Sequence, residues 1–257
     1  MSSLNLPRLG VNIDHLATLR QLRGTSYPSL LEAVRMIELA GASQITVHLR
    51  EDRRHIQPDD VKLLRAHCNL PLNLEMAVTP EMLKFARKIK PEWACLVPEK
   101  RQEVTTEGGL DLKKHLKRIR PVVDSLKKAG IKVSLFVEPS VEAMKLSAEL
   151  GADAVELHTG TYCLAAQASG EGKLSKKAQT QLARIQKAGQ LAASLGIHVH
   201  AGHGIDLENV RPLVALERKG DLPLIEEYNI GHFLVCRASL YGMEHAVREM
   251  LSAIQAP

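Results

Sequence analysis

The stretch LNLEMAVTPE at residues 72–81 combines a β-strand, a polar strand end and the start of an α-helix. Side chains alternate between the two faces of a strand, so Asn73 and Glu75 share one face and the leucines take the other. The dipeptide Thr79-Pro80 is typical of a helix N-terminus, because threonine caps the first turn and proline fits its first position. This order predicts a strand–helix unit with polar groups near the carboxyl end of the strand.

The same order of signals recurs along the chain. Strand-like runs lie near residues 9–14, 44–49, 71–76, 93–97, 131–137, 153–158, 197–202 and 224–230. Helical patterns between them cover 28–40, 111–129, 140–150 and 175–195 and also begin near Pro58, Thr79 and Asp206. Pro28 suits the first turn of its helix. Three of the helices stop at a glycine just before the next strand, which is a common C-terminal cap.

Eight such units in about 250 residues predict an α/β protein with a (β/α)8 TIM barrel and additional helices. The competing fold is a doubly wound open sheet, but no G-x-G-x-x-G turn follows the first strand. Because no linker rich in Pro, Gly or Ser interrupts the pattern, we expect a single barrel domain over residues 1–257. The stretches 98–109 and 159–176 are expected to be long loops at the active-site end.

The composition narrows the class of protein. Hydrophobic residues make up 45% and charged residues 25% of the chain, as in soluble globular proteins. No apolar run is long enough to span a membrane and no secretion signal is evident, so we expect a cytoplasmic protein with four reduced cysteines. The net charge of +5 with 3% aromatic residues favours phosphorylated small molecules over nucleic acid as partners.

Polar residues of five strands share the faces that we expect to point into the barrel. They are Asn12, Asp14, Thr46, His48, Arg50, Asn73, Glu75, Glu156, His158, His198 and His200. Barrel enzymes place their chemistry at the carboxyl ends of strands. Glu75 lies between apolar neighbours and needs a partner or a raised pKa, which suits an acid or base. The guanidinium of Arg50 offers a planar fork for an anion, whereas a lone histidine is more often structural.

Two glycine-containing turns lie where barrels often bind phosphate, after the seventh and eighth strands. They are the run AGHG at 201–204, ahead of a predicted helix start at Asp206, and Gly231-His232. Glycine lets backbone N–H groups approach a phosphate, and a helix N-terminus adds a favourable field. No lysine lies at the carboxyl end of a predicted strand. Lys132 lies at the start of its strand and should be at the opposite end of the barrel, so we do not expect a Schiff base on the protein.

Long motifs resemble the pyridoxine 5'-phosphate synthase family over nearly the whole chain. They are VNIDHLATLR (11–20), ITVHLREDRRHI (45–56), NLEMAVT (73–79), CLVPEKRQEVTTEGGLD (95–111), VSLFVEPS (133–140), ELHTG (156–160), AGHG (201–204) and NIGH (229–232). Residues 161–178, His198, His200 and Cys236 depart from the family pattern. The resemblance implies a (β/α)8 barrel that assembles into a homo-oligomer, an octamer, and uses no cofactor and no metal. The implied reaction joins 3-amino-2-oxopropyl phosphate and 1-deoxy-D-xylulose 5-phosphate into pyridoxine 5'-phosphate, phosphate and water.

The resemblance also implies roles for individual residues. His48 and Glu75 are similar to the proton acceptors of the family, His203 to its proton donor and Glu156 to its transition-state stabilising carboxylate. The implied contacts to the aminoketone phosphate are Asn12, Arg23, Gly204, Gly231 and His232. The implied contacts to the pentulose phosphate are Asp14, His15, Arg50, His55 and Thr105. The loop 98–109 resembles the family's lid over the site.

Two other functions are alternatives. A metal-dependent barrel hydrolase is one, because His48, Glu75, His158, His200 and His203 offer nitrogen and oxygen ligands. The paired glycine turns and Arg50 favour anions over cations, however. A non-catalytic binder of phosphorylated ligands or nucleic acid is the other, but the many inward ionisable groups exceed what binding requires.

Overall fold

The computed structural model describes residues 6–99, 108–169, 173–218 and 222–255. Eight parallel strands close into a barrel in the order β1-β10-β7-β6-β5-β4-β3-β2, which confirms the predicted (β/α)8 class. The barrel strands are β1 (Arg8–Asn12), β2 (Gln44–His48), β3 (Leu72–Ala77), β4 (Trp93–Val97), β5 (Lys132–Val137), β6 (Ala154–His158), β7 (His198–Gly202) and β10 (Glu227–Ile230). Two short strands, β8 (Glu217–Arg218) and β9 (Leu222–Pro223), form a separate antiparallel pair.

The helices surround the barrel. They are α1 (Asp14–Arg23), α2 (Leu30–Leu39), α3 (Pro58–His67), α4 (Pro80–Ile89), α5 (Leu112–Lys128), α6 (Val141–Glu149), α7 (Gly160–Gln167), α8 (Lys176–Ser194), α9 (Val210–Val214), α10 (His232–Tyr241) and α11 (Met243–Gln255). The predicted cap of α4 is confirmed, since the Thr79 hydroxyl oxygen accepts a hydrogen bond from the Met82 amide. The predicted glycine stops after α5, α6 and α8 all have positive φ.

Some predicted boundaries were wrong for local physical reasons. Pro28 lies outside α2, because the Ser29 side chain caps that helix and the helix begins at Leu30. The stretch 159–176 is not all loop, since it contains α7. No helix begins at Asp206, whose carboxylate instead accepts hydrogen bonds from the amides of two following residues in a turn. The short helix α9 starts only at Val210.

The strand faces separate an apolar layer from a polar barrel interior. Outward residues such as Val47, Leu74 and Val155 are buried in the large core between the barrel and the helices. The inward set includes buried Thr46, Asn73, Glu156 and Asn229. Within the described part of the chain, a small apolar group of Cys95, Val97 and Phe136 forms a second cluster. Because desolvating polar groups is costly without partners, the barrel interior must satisfy most of these side chains internally.

The strand register brings the polar residues of neighbouring strands level with one another. His48 on β2 is paired in register with Glu75 on β3. Glu156 on β6 is paired with His200 on β7, and Gly202 on β7 lies beside Asn229 on β10. Among the described residues, no helix is long and apolar enough to cross a membrane.

Candidate active site

A cavity of about 800 Å³ opens at the carboxyl end of the barrel. Most of the residues that the sequence analysis predicted for the site line it. They are Asn12, Asp14, His15, His48, Arg50, His55, Glu75, Glu156, His203, Gly204, Gly231 and His232. These residues come from β1, β2, β3, β6, α1, α10 and the loops after the strands, so the closed barrel converts distant sequence positions into one site.

Two predicted contacts stand apart from this group. Arg23 is the last residue of α1 and is exposed, and it is not among the side chains that line the cavity. Thr105 lies outside the described residues, as does most of the predicted lid 98–109.

Asp14 connects the ends of β1 and β2. It is the first residue of α1 rather than a strand residue, which corrects the predicted run 9–14. Its Oδ1 accepts a hydrogen bond from the His48 backbone amide at 2.8 Å, and its Oδ2 accepts one from Asn12 Nδ2 at 2.9 Å. Since both oxygens have donors, the Asp14 carboxylate fixes the strand ends that present Asn12 and His48 to the cavity.

His48 lies between two carboxylates. Its Nδ1 is 3.9 Å from Glu75 Oε2, and its Nε2 is 3.7 Å from Glu99 Oε2. The imidazole is only 5% exposed, and its Nε2 makes no hydrogen bond. A buried imidazole flanked by two acids can pass protons in either direction. The sequence analysis missed Glu99, although it follows β4 by two residues and therefore fits the same strand-end pattern.

Desolvation raises the pKa values of two neighbouring glutamates in the cavity, Glu75 and Glu156. Burial raises the pKa of Glu75 well above its ordinary value, and the charges of Glu156 and Asp14 raise it further. Burial likewise raises the pKa of Glu156 to about 8, against the opposing effect of a hydrogen bond from Asn229. Two neighbouring carboxylates in a desolvated site cannot easily both ionise. The pair therefore offers one group that gives a proton and one that takes it.

A chain of amide and hydroxyl groups orients Glu156. Asn229 Nδ2 donates to Glu156 Oε2 at 2.8 Å, Thr46 Oγ1 donates to Asn229 Oδ1 at 3.2 Å, and Asn73 Nδ2 donates to Thr46 Oγ1 at 3.3 Å. Gly10 makes room for this chain, because a Cβ at that position would lie 2.0 Å from Asn229 Oδ1. The sequence analysis missed Asn229 as a site residue, although it lies in the last strand of the barrel.

His203 is held in an uncommon backbone conformation. Its φ is 79°, in the left-handed region that non-glycine residues rarely adopt. The Thr159 hydroxyl lies within hydrogen-bonding distance of the carbonyl oxygens of Gly202 and His203, at 2.8 and 2.7 Å. Burial, with a smaller effect of the neighbouring His158 ring, lowers the pKa of His203 to about 4. Strain of this kind is common where a side chain must be aimed at a ligand.

The predicted anion sites differ from each other. The helix α10 begins at His232 directly after Gly231, so its first N–H groups face the cavity and favour a negative group. The His15 and His232 rings lie 5.2 Å apart beside it. The turn at Gly204 has backbone amides but no helix behind it, because the predicted start at Asp206 is a turn. We therefore expect the stronger anion site at α10.

Arg50 and His55 form the other wall. The guanidinium of Arg50 is 2% exposed and donates two hydrogen bonds of 3.1 Å to the Asp52 carboxylate. Arg54 donates to the same carboxylate at 2.9 and 2.6 Å and also lines the cavity. Burial lowers the pKa of His55, whose ring is 6.2 Å from that of His48. The wall carries two guanidinium groups beside the Asp52 carboxylate and, 4.0 Å from Arg50 Nε, the Glu99 carboxylate. Guanidinium groups suit an anionic substrate.

The described residues contain one group with metal-ligand spacing. Asp14, His48 and Glu75 offer atoms within 4.8 Å of one another. Both oxygens of Asp14 already accept hydrogen bonds from protein groups, and the raised pKa of Glu75 favours its protonated form. The alternative ligands His158, His200 and His203 are not part of this group.

The predictions that His198 and His200 of β7 point into the barrel at the polar site need correction. His198 is the first residue of the strand and lies at the opposite end of the barrel, where its Nδ1 is 2.8 Å from Glu226 Oε2. His200 does point inward, but it is buried 3.7 Å from Glu227 and does not line the cavity. The position of a residue along the strand decides whether it lines the cavity, because the cavity lies at the carboxyl ends of the strands. Lys132 opens β5 at the amino end of the barrel, as predicted.

The sequence model of the family described as pyridoxal phosphate biosynthesis protein PdxJ matches residues 9–256. Among curated relatives, pyridoxine 5'-phosphate synthase of Bdellovibrio bacteriovorus is 51% identical over 95% of this chain and 96% of its own length. The protein of the same name from Trichlorobacter lovleyi is 50% identical over 98% of this chain and its full length.

Solved structures with low sequence identity show the fold alone. A 3-keto-L-gulonate-6-phosphate decarboxylase from Vibrio cholerae has a TM-score of 0.61 at 15% identity, over 97% of this chain and 99% of that one. A phosphoribosyl anthranilate isomerase from Thermus thermophilus has a TM-score of 0.55 at 14% identity, over 96% and 97% of the two chains. With a family match over almost its whole length and curated relatives at about half identity, the chain belongs to the PdxJ family of pyridoxal phosphate biosynthesis proteins.

Proposed function

We infer that this protein is a pyridoxine 5'-phosphate synthase. It condenses 3-amino-2-oxopropyl phosphate with 1-deoxy-D-xylulose 5-phosphate and releases pyridoxine 5'-phosphate, phosphate and water. The observation that carries this inference is the convergence of His48, Glu75, Glu156 and His203 on one cavity beside the N-terminus of α10. The family match over residues 9–256 supplies the reaction.

The first bond-forming step needs no covalent bond to the protein. The amine of the aminoketone attacks the ketone of the pentulose, and loss of water gives an imine between the two substrates. No lysine is among the residues that line the described cavity, which fits a Schiff base between substrates. The role of the protein is then to orient two phosphorylated molecules and to move protons.

We propose that Glu75 removes a carbon-bound proton and that His48 assists imine formation and elimination. The two side chains are 3.9 Å apart, so a proton can move between them through small motions. Burial raises the pKa of Glu75, which makes its carboxylate a stronger base once the proton is lost. A positive charge that develops on the imine nitrogen lowers the pKa of Glu156, and the resulting carboxylate, oriented by Asn229, stabilises that charge.

His203 is proposed to donate a proton to a leaving oxygen. In the free protein burial holds its pKa at about 4, so the ring is neutral at pH 7. A doubly charged phosphate bound beside it raises this pKa, because an opposite charge favours the imidazolium. Substrate binding thereby protonates the donor only when there is a leaving group to receive the proton.

The phosphate contacts remain proposals. The α10 N-terminus with Gly231 and His232 suits the phosphate of the aminoketone, and Arg50 with His55 suits the pentulose phosphate. We also propose that Arg23 and Thr105 contribute to phosphate binding, as the family resemblance implies. Assembly into a homo-oligomer, an octamer, and a cytoplasmic location are likewise proposed. Exposed apolar side chains such as Leu22, Leu39 and Leu240 offer contact area for assembly.

A direct assay tests the function. The purified protein is incubated with both phosphorylated substrates, and the ultraviolet absorbance of pyridoxine phosphate is recorded with the released phosphate. We expect equal amounts of both products, and none when either substrate is omitted. Absence of the pyridine product under conditions where a curated relative forms it would overturn the assignment.

A further inference from the structure

A carboxylate–imidazole pair lies directly behind His203. His158 Nδ1 is 2.7 Å from Glu138 Oε1, and the same oxygen accepts the Gly109 amide at 3.2 Å. The His158 ring is 9% exposed, and its centroid is 5.0 Å from that of His203. Neither Glu138 nor His158 belongs to the residues that line the cavity. Nothing in the mechanism above uses this pair.

The carboxylate fixes the protonation pattern of His158. The hydrogen bond from His158 lowers the pKa of Glu138, so this carboxylate is ionised and can only accept. His158 Nδ1 must therefore carry a hydrogen, and in the neutral ring Nε2 is left with a lone pair. That Nε2 is buried and makes no hydrogen bond to any described residue. Such an orphaned acceptor inside a protein is uncommon and calls for a donor.

His203 is the group that can supply this donor. A Cβ at Gly160 would lie 2.7 Å from His158 Nε2 and 2.8 Å from His203 Cδ2, so the two ring edges face each other across the missing side chain. A 180° flip of the His203 ring exchanges the positions of Cδ2 and Nδ1, and the available hydrogen-bond partners decide which orientation is adopted. The flipped ring presents Nδ1–H to the empty lone pair of His158.

We propose that His158 is a positioning residue for His203, which accepts a hydrogen bond from His203 Nδ1–H, and that Glu138 holds His158 in the required tautomer. This inference rests on the proposed role of His203 as proton donor. The arrangement leaves His203 Nε2 pointing to the cavity, where it gains a proton when phosphate binds and gives it to the leaving oxygen. The proton on Nδ1 stays in place throughout.

In other acid–base sites a carboxylate likewise orients an imidazole that acts on the next group. Here the carboxylate is that of Glu138, whose side chain is 41% exposed. Among the described residues, the charged and titratable groups around it include Glu138, His203, Cys163 and Arg184, whose Nη2 is 3.9 Å from Glu138 Oε2. Gly160 is part of the design, because a side chain there would separate the two rings.

Kinetics of substitutions at His158 test the proposal. His158→Phe fills the space but offers no acceptor, and we expect kcat to fall about 10- to 100-fold with KM changed less than twofold. His158→Gln keeps a donor for Glu138 and an acceptor, so it should recover part of the rate. The matched control is His198→Phe, which breaks the His–Glu pair at the other end of the barrel and should leave kcat within twofold.

A double substitution shows whether His158 acts through His203. If it does, adding His158→Phe to His203→Gln causes no further loss of kcat, and the pH–rate inflection that disappears in His203→Gln is shifted in His158→Phe. Near-normal turnover of His203→Gln would instead refute the proposed donor role. A strong defect in His203→Gln that His158→Phe multiplies would overturn the inference while leaving the donor role intact.

A spectroscopic measurement covers the case in which His158→Phe does not fold. Nitrogen NMR of the full-length protein with labelled histidine reports the tautomer of each ring. We expect hydrogen on His158 Nδ1 and none on Nε2 in the wild type, and loss of this fixed pattern in Glu138→Gln. A wild-type His158 with hydrogen on Nε2 would contradict the proposal.

Discussion

The two ends of the barrel carry similar residue types in different surroundings. At the amino end, a cavity of about 400 Å³ is lined by His198, Lys127, Lys132 and Asp153. The Lys127 and Asp153 side chains are paired at 2.9 Å, and the His198 side chain is 57% exposed next to Glu226. Exposed pairs of this kind contribute little free energy and are screened by solvent.

At the carboxyl end the same chemistry is buried. His48 is 5% exposed and stands 3.9 and 3.7 Å from its nearest carboxylates, too far for a direct hydrogen bond. Glu156 is 3% exposed, and burial raises its pKa to about 8. Desolvation without close ionic partners produces reactive groups. Depth along the strand, rather than residue type, therefore separates a histidine suited to catalysis from a surface one.

The largest effect is expected when matched histidines are replaced at the two ends. His48→Gln removes the imidazole that bridges Glu75 and Glu99, and we predict a loss of about 100-fold in kcat. His198→Gln, at the amino end, should change kcat less than twofold. Steady-state rates of pyridoxine phosphate formation check this prediction. Equal losses in both variants would show that the two ends of the barrel do not differ in their importance for turnover.

The burial of Glu156 at the carboxyl end predicts a pH dependence of stability. Burial raises the pKa of Glu156 from its ordinary 4.5 to about 8, so between these pH values the folded protein keeps a proton that the unfolded chain has lost. Its contribution to the free energy of unfolding therefore falls as pH rises. Over this window, the free energy of unfolding of Glu156→Gln should rise relative to that of the wild type by up to about 1.4 kcal/mol per pH unit. Denaturant unfolding at pH 5 and pH 8 measures it.

A carboxylate with the opposite shift serves as control. The hydrogen bond from His158 lowers the pKa of Glu138, so its contribution to stability is present above pH 4.5 and is lost as the pH falls through the folded pKa. The destabilisation caused by Glu138→Gln should thus shrink at acid pH. If the stability of both variants relative to the wild type changed with pH in the same direction, a general effect of pH, and not burial, would be responsible.

A smaller effect is expected when the hydrogen-bonded side chains that orient Glu156 are interrupted. Thr46→Val keeps the shape but removes the donor to Asn229 Oδ1, leaving a buried acceptor unpaired. We predict a loss of about 1–3 kcal/mol in the free energy of unfolding and a fall in kcat of less than about 10-fold. Thr180→Val is the control, because its hydroxyl only donates to Lys176 O on the exposed side of α8. A stable and fully active Thr46→Val variant would show that Asn229 needs no support.

The smallest effect is expected from metal removal. Both Asp14 oxygens accept protein hydrogen bonds, so the carboxylate near His48 and Glu75 is already engaged. Dialysis against a strong chelator should leave the rate within about 10% of the untreated protein. Loss of activity that Zn²⁺ or Mn²⁺ restores would contradict this account of the site.

Much of this molecule could be predicted from sequence because strand alternation and helix capping are local. The pattern at 72–81 predicted a strand, a Glu75 side chain that points into the barrel and a Thr79 cap, and all three are confirmed. The long motifs also identified the family. Local patterns do not show how far along a strand a residue lies, which is why His198 was expected to point inward with the rest.

Other features depend on contacts between distant parts of the chain. Asn229 became part of the site through hydrogen bonds to Thr46 and Glu156, which are 183 and 73 positions away. The helix α7 was missed because its apolar and small residues show no amphipathic period, since Gly160, Tyr162 and Cys163 are all buried. The turn at Asp206 resembled a helix start because an acidic residue followed by a polar stretch suits both structures.

The central claim is that acid–base chemistry occurs at the carboxyl end of the barrel with Glu75 at its centre. The most direct test is turnover of Glu75→Gln beside Glu226→Gln, with both substrates saturating. We predict that Glu75→Gln loses about 100-fold or more in kcat while KM stays within threefold, and that Glu226→Gln keeps at least half of the wild-type rate. Near-normal turnover of Glu75→Gln would contradict the account.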